Sequence, residues 1–248
     1  MIRNLCLIAA APFLLGAAPA SAVGINLGWN DCPRGASYSL VERFACDANE
    51  GVHTLVGSFV PPADISAMSA NEIVVDVETS GATLAPWWSL RATAPAGCRT
   101  ASLTQTADFS AFSACTDYWQ GGALGGVSSD SPVENRARIK VLEALPPGSP
   151  LIGSVTEGQE YYSFRVTINN AQTTGLGACG GCTDGACIVL SLIQLNQPVE
   201  VGTPIVITNP AVAQFAIWQA WKPNDPRHKC PGTPAKQPTW GAIKVLYR

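Results

Sequence analysis

Apolar and polar residues alternate with a period of two over several stretches of this chain, the signature of strands with one covered and one wet face. From Glu72 to Thr79, Ile73, Val75 and Val77 fall on one side and Glu72, Asp76 and Glu78 on the other. Val133 to Val141 repeats the pattern with more contrast, setting Val133, Ala137, Ile139 and Val141 against Glu134, Arg136, Arg138 and Lys140. Glu160 to Ile168 places Tyr162, Phe164, Val166 and Ile168 opposite Tyr161, Ser163, Arg165 and Thr167, in aromatic and β-branched residues that suit a pleated surface. Ala186 to Leu195 is apolar on both faces and predicts a central strand covered on both sides, although a buried helix has the same periodicity. Strands at His53 to Val60, Trp87 to Arg91, Pro204 to Thr208, Gln214 to Trp221 and Ala242 to Tyr247 bring the total to about nine. Short helices are expected only at Ala63 to Ala70, after Pro61-Pro62, and at Asp108 to Trp119.

Composition agrees with this pattern. Charged residues are 13% of the chain, whereas glycine (23) and proline (19) are abundant, a mixture that favours short extended segments joined by tight turns. The expected fold class is all-β, a disulfide-stabilised β-sandwich or jelly roll. Pro146-Pro147-Gly148 is the best boundary candidate, but both flanks have the same strand pattern, so it reads as a turn within one domain.

The N-terminus and the cysteines set the compartment. Arg3 precedes an apolar run from Leu5 to Leu15, and Ala20-Ser21-Ala22 supplies the small residues of a cleavage site, predicting a secretory signal at 1–22 and a mature domain at 23–248. Cys6 is expected to leave with the signal; it lies at the head of the apolar run, away from the cleavage site, and is not placed for lipidation. Cys32, Cys46, Cys98, Cys115, Cys179, Cys182, Cys187 and Cys230 remain, an even set suited to disulfides in an extracellular or periplasmic setting. The formal charge of −3 becomes −4 once Arg3 is removed, which gives nucleic acid or anionic lipid nothing to attract it. No further apolar stretch reaches the roughly 20 residues that a membrane span needs.

Cys32 and Cys46 bracket one polar loop and Cys98 and Cys115 another, so both pairs are expected as loop staples, with Cys179, Cys182, Cys187 and Cys230 unassigned among themselves. Cys179-Gly180-Gly181-Cys182 has the spacing of a thiol-disulfide motif, and with Cys187 and Cys230 it supplies enough thiolates for zinc. Against both stand the loop-forming residues on either side and the oxidising compartment; a disulfide-pinned loop feeding the core strand is the preferred reading. No metal or other cofactor is expected.

Histidine is limited to the isolated His53 and His228, and no nucleophile-elbow, zinc-protease or phosphate-loop motif is present. Asp117, Glu157 and Glu160 lie near aromatic residues and are candidates for the carboxylate pair of a glycan hydrolase. Aromatic residues offer a binding alternative. Trp87-Trp88 follow Pro86, Tyr118-Trp119 follow Cys115-Thr116-Asp117, and Trp218 and Trp221 share a late strand. Adjacent residues on a strand point to opposite faces, so one of Trp87 and Trp88 is expected outside the core. Trp87, Trp88 and Trp119 are therefore candidates for a sugar-stacking platform, with core packing as the competing role.

Gly24-Ile25-Asn26-Leu27-Gly28-Trp29-Asn30-Asp31-Cys32, Phe44-Ala45-Cys46-Asp47 and Gly57-Ser58-Phe59-Val60-Pro61-Pro62 resemble the opening of a group of uncharacterised secreted bacterial proteins. The resemblance continues through Pro86-Trp87-Trp88, Cys115-Thr116-Asp117-Tyr118-Trp119 and Cys179-Gly180-Gly181-Cys182 to Cys187-Ile188-Val189-Leu190. It implies secretion but no reaction, ligand or catalytic residue. The segment from Val56 to Trp88 also resembles the strand pattern of cohesin-type sandwiches, which bears on fold alone. The expected function is that of a secreted, non-catalytic binding or structural protein whose partner is an extracellular glycan or a surface protein. A glycan hydrolase and a thiol-disulfide protein are the alternatives.

Overall fold

A computed structural model of the chain describes residues 22–93, 95–219, 221 and 230. The signal expected at 1–22, apart from Ala22, and His228 and the strand expected at Ala242 to Tyr247 therefore lie outside the described residues. Among the described residues thirteen strands form two main sheets and a small ribbon. In chain order they are β1 (Gly24–Trp29), β2 (Val41–Glu42), β3 (Val52–Val60), β4 (Ile65–Met68), β5 (Ala70–Thr79), β6 (Leu103–Thr106) and β7 (Leu124–Val133). The remainder are β8 (Arg136–Ala144), β9 (Gly153–Val155), β10 (Tyr161–Asn169), β11 (Ala186–Asn196), β12 (Ile205–Ile207) and β13 (Phe215–Trp218). The smaller sheet has the order β1-β3-β10-β6. The larger runs β2-β13-β11-β5-β8-β7, with β12 pairing the far half of β11, and β4 pairs β9 as the ribbon.

Period-two alternation does its expected work in this β-sandwich. Ile73, Val75 and Val77 of β5, Ala137, Ile139 and Val141 of β8, and Ile188, Leu190, Ile193 and Leu195 of β11 all enter the core between the sheets. A register shift between Leu190 and Leu192 keeps both halves of β11 facing inward. Phe59, Phe164, Val166 and Ile168 close the core from the smaller sheet. Its β1 edge is covered by the backbone of residues 209–213: Ile25 N–H donates to Asn209 O and Leu27 N–H to Ala213 O, each at 2.8 Å. An edge so covered presents no free template for another strand. Pro146-Pro147-Gly148 is a tight turn, with Ser149 N–H donating to Pro146 O at 3.0 Å, and strands from both sides of it share the larger sheet.

Three local expectations are corrected. Trp87 to Arg91 is not a strand; Pro86–Trp88 forms one 3-10 turn that places both indoles inside, at 0% exposure. Ala63 to Ala70 contains β4 and the start of β5, because Ile65 and Met68 find a strand partner in β9. Asp108 to Trp119 is a series of turns, with Asp108 Oδ1 accepting from Ser110 N–H and Asp117 Oδ1 from Trp119 N–H, both at 2.9 Å.

All eight expected cysteines are paired, but not as loop staples. The bonds are Cys32–Cys115, Cys46–Cys182, Cys98–Cys179 and Cys187–Cys230, and the first three span 83, 136 and 81 residues. Cys32–Cys46 and Cys98–Cys115 are thus overturned by tertiary approach. Tyr162 of β10 donates to Asp31 Oδ1 at 2.8 Å and to the same region contributes its hydroxyl as acceptor for Ala114 N–H, which brings Cys32 and Cys115 together. Closing loops of this length removes more denatured-state entropy than a local staple, about 4 kcal/mol or more each in the chain-entropy account.

Candidate functional site

The larger sheet carries most of the polar patterning, and its outer face is half ionic lattice and half apolar depression. Neighbouring strands align outward-facing residues in rows: Glu78 opposite Arg136, Asp76 opposite Arg138, and Lys140 opposite Ser128. Arg136 bonds Glu78 at 2.8 Å, Arg138 grips both oxygens of Asp76 at 2.8 and 3.1 Å, and Lys140 reaches Asp130 at 2.6 Å. Ser191 adds a bond to Asp76 Oδ2 at 2.9 Å, and the Asp76 carboxylate raises the pKa of Arg138 against the opposing effect of burial.

Further along the same strands the charges stop. Leu192, Val74 and Leu142 floor a concavity of about 570 Å³ whose wall on β7 is Gly126 and Ser128 and whose rim carries Glu72, Lys140 and Gln194. A side chain at Gly126 would meet nothing within 4 Å, so this glycine leaves the depression open. Leu142 is 47% exposed although it sits in the middle of a regular strand. No lining residue is aromatic. Isolated apolar exposure is ordinary, but here Val74 of β5 and Leu142 of β8 are open over a buried Leu192 of β11 that is 4% exposed.

The residues singled out from sequence lie elsewhere. Trp87, Trp88 and Trp119 each have 0% exposure, and so do Trp29 and Trp218. Trp87 stacks on Trp218 with centroids 4.8 Å apart and donates from its indole to Thr173 Oγ1 at 3.1 Å; Trp119 donates to Ser163 O at 3.1 Å. A sugar-stacking platform needs ring faces in solvent, and these rings give theirs to the core; the expectation is corrected by the turn at Pro86 and by the inward course of the segment before Gln120. Arg99 lies over the Trp87 ring at 3.7 Å and donates to the carbonyls of Trp87, Ala171 and Asn169. Burial lowers its guanidinium pKa to about 10, so it remains a cation at neutral pH.

Cys179 and Cys182 are buried and bonded to different partners, Cys98 and Cys46, which removes the dithiol on which redox or zinc chemistry would depend. Sulfurs of Cys32 and Cys115 approach the Glu160 carboxylate, but as a disulfide they have no thiolate to offer a metal. Glu160 Oε1 accepts from Asn26 Nδ2 and Ser58 Oγ, both at 2.7 Å. Glu157 is exposed in a turn and Asp117 caps backbone N–H groups, and none of these three carboxylates lines the concavity. His53 is also committed: Nδ1 faces Glu42 Oε1 at 2.9 Å and Nε2 faces Asn170 Oδ1 at 3.0 Å, with the Trp218 ring 4.7 Å away.

These observations define an all-β, disulfide-linked sandwich whose tryptophans and cysteines are engaged internally and whose outer sheet face is open among the described residues. No family model and no curated protein matches the chain. Among solved structures it is similar to a cohesin module from a Clostridium perfringens family 33 glycoside hydrolase, at 7% identity and a TM-score of 0.33, over 80% of this chain and 98% of that one. The described residues contain no helix long and apolar enough to cross a membrane.

Proposed function

We propose that this chain is a secreted, non-catalytic binding module that docks an extended segment of another extracellular protein on the outer face of its larger sheet. The observation that carries this reading is the concavity over Leu192, Val74 and Leu142, an apolar floor on an otherwise charge-paired face. An aliphatic side chain of the partner fills the floor, and a positively charged neighbour meets Glu72 at the rim. Burial of the aliphatic group supplies affinity, while the rim charges set register. A peptide is favoured over a glycan because the floor is aliphatic and the tryptophans that would stack on a sugar are in the core. Secretion rests on the signal-like residues 1–22 and agrees with four disulfides, which persist in oxidising compartments.

Selection of a displayed peptide library against the oxidised protein tests the reading. Peptides with a central aliphatic residue are expected to be enriched, and Leu142→Glu and Gly126→Trp each to weaken them at least about tenfold with unchanged thermal unfolding. Peptides that bind both variants as well as wild type, or binding confined to a glycan panel, would overturn it.

A further inference from the structure

Along β11, Ala186, Ile188 and Leu190 point into the core, whereas Cys187 and Val189, and further on Leu192 and Gln194, face outward with the concavity. Cys187 is bonded to Cys230, their Cα atoms 5.4 Å apart, and Trp221 and Cys230 pack with Cys187, Val189 and Ile217 in an apolar cluster separate from the core. Residues beyond β13 thus already cover one end of this face. Register places that end relative to the concavity: Cys187 is opposite Glu78, Val189 opposite Asp76, Leu192 opposite Val74 and Gln194 opposite Glu72. Glu78 and Val74 are four residues apart on β5, which is about 14 Å along a strand.

Residues 231–248 follow this anchor in sequence and lie outside the described residues. Pro231, Gly232, Pro234 and Pro238 give the first half the composition of a spacer, and the second half holds Trp240, Ile243, Val245, Leu246 and Tyr247 around Lys244. From Cys230 to Ile243 the chain can reach at most roughly 45 Å, about three times the distance to the concavity. The segment carries three basic residues, Lys236, Lys244 and Arg248, and no acidic one, in a chain whose formal charge is −3. The rim offers the complement. Glu72 accepts from Asn196 Nδ2 at 3.2 Å but is in no ion pair among the described residues, whereas Glu78, Asp76 and Asp130 on the same face each hold a cation. Aliphatic groups beside a positive charge are the two features that the concavity selects in a partner, and residues 240–248 supply both.

We infer that residues 240–248 occupy the concavity of their own chain, held near it by the Cys187–Cys230 bond, and that a partner segment binds by displacing them. This inference rests on the reading of the concavity as a peptide site and assigns the regulation of that site. A short tether sets an effective concentration in about the millimolar range, so a contact too weak to persist between separate molecules fills the site within one. If the untethered contact has a dissociation constant of about 0.1 mM, an outside peptide is weakened about tenfold.

Photo-crosslinking of the oxidised full chain is the direct test, with Ser128 on the wall of the concavity replaced by a benzophenone amino acid. Peptide mapping of a mixture of isotopically light and heavy protein is expected to show cross-links to residues 240–248 of the same chain. They are expected to disappear in the triple variant Ile243→Asp, Val245→Asp, Leu246→Asp. Cross-links that miss this segment, that form between chains, or that persist in the triple variant overturn the inference. Peptides selected for aliphatic content give a second readout and are expected to bind the triple variant at least about tenfold more tightly than wild type. Equal affinity for the two proteins overturns the inference and leaves the docking reading intact. Cross-linking as expected, with no peptide bound by either protein, supports the placement of the segment and overturns the docking reading alone.

Discussion

Several side chains fit only because a neighbouring residue has none. Gly57 of β3 is opposite Phe164 of β10, and a Cβ at 57 would lie 2.1 Å from the Phe164 ring. Gly57→Ala is expected to destabilise by about 1–3 kcal/mol through overpacking, and Phe164→Leu in the same chain to recover part of the loss, read from urea midpoints. Tyr38 and Tyr162 are held with their hydroxyls in the interior, and burial raises each to about 12, with Glu160 adding to the shift at Tyr38. Because the folded state holds these protons longer than the unfolded one, stability is expected to fall as pH rises from about 10 toward 12. Ultraviolet titration compared with Tyr38→Phe and Tyr162→Phe should show the phenolate absorbance of these two residues appearing together with loss of native circular dichroism; their ionisation near pH 10 in the native protein would contradict this. The indoles show why site residues were harder to read than strands. The pair Trp87-Trp88 implies opposite faces only if the backbone is extended, and the proline before it begins a turn that sends both inward.

Elements differ in how far their own sequence determines them. β5, β8 and β10 are legible because their apolar positions alternate and become buried, and β11 because its run is apolar on both faces and buried on both. β7 carries no such signal: Leu124-Gly125-Gly126-Val127-Ser128-Ser129 reads as loop, and it becomes a strand by pairing with β8 from Leu124 to Val133. The concavity could not be anticipated, since Leu192, Val74 and Leu142 meet only through the register of three strands separated in sequence. The Pro86–Trp88 turn is held by an interaction between elements, in which Arg99 joins it to the carbonyls following β10. Arg99→Met keeps much of the contact with Trp87 but leaves three carbonyls without their donor. A loss of about 2–4 kcal/mol is expected, together with faster amide exchange in residues 86–89 and 169–173. Unchanged exchange there would show that the turn stands without the guanidinium.

For the whole molecule the disulfides impose a particular order on assembly. Eight cysteines allow 105 complete pairings, and from Cys32 onward the observed set joins no cysteine to its next neighbour except Cys187 to Cys230. Short loops close most readily in an unfolded chain, so the first bonds to form on oxidation are expected between Cys32 and Cys46 or within Cys179, Cys182 and Cys187, and all of these are incorrect. Refolding from the reduced state should pass through scrambled species, with native yield rising several-fold when a disulfide isomerase or a glutathione redox pair is supplied; peptide mapping under non-reducing conditions would report the pairings directly. The interleaving of Cys32–Cys115, Cys46–Cys182 and Cys98–Cys179 also means that Cys32 and Cys46 cannot acquire their partners until Cys115 and Cys182 have left the ribosome. Correct pairing of Cys32, Cys46 and Cys98 therefore falls late in synthesis, and native yield in any host is expected to follow that host's capacity for thiol exchange.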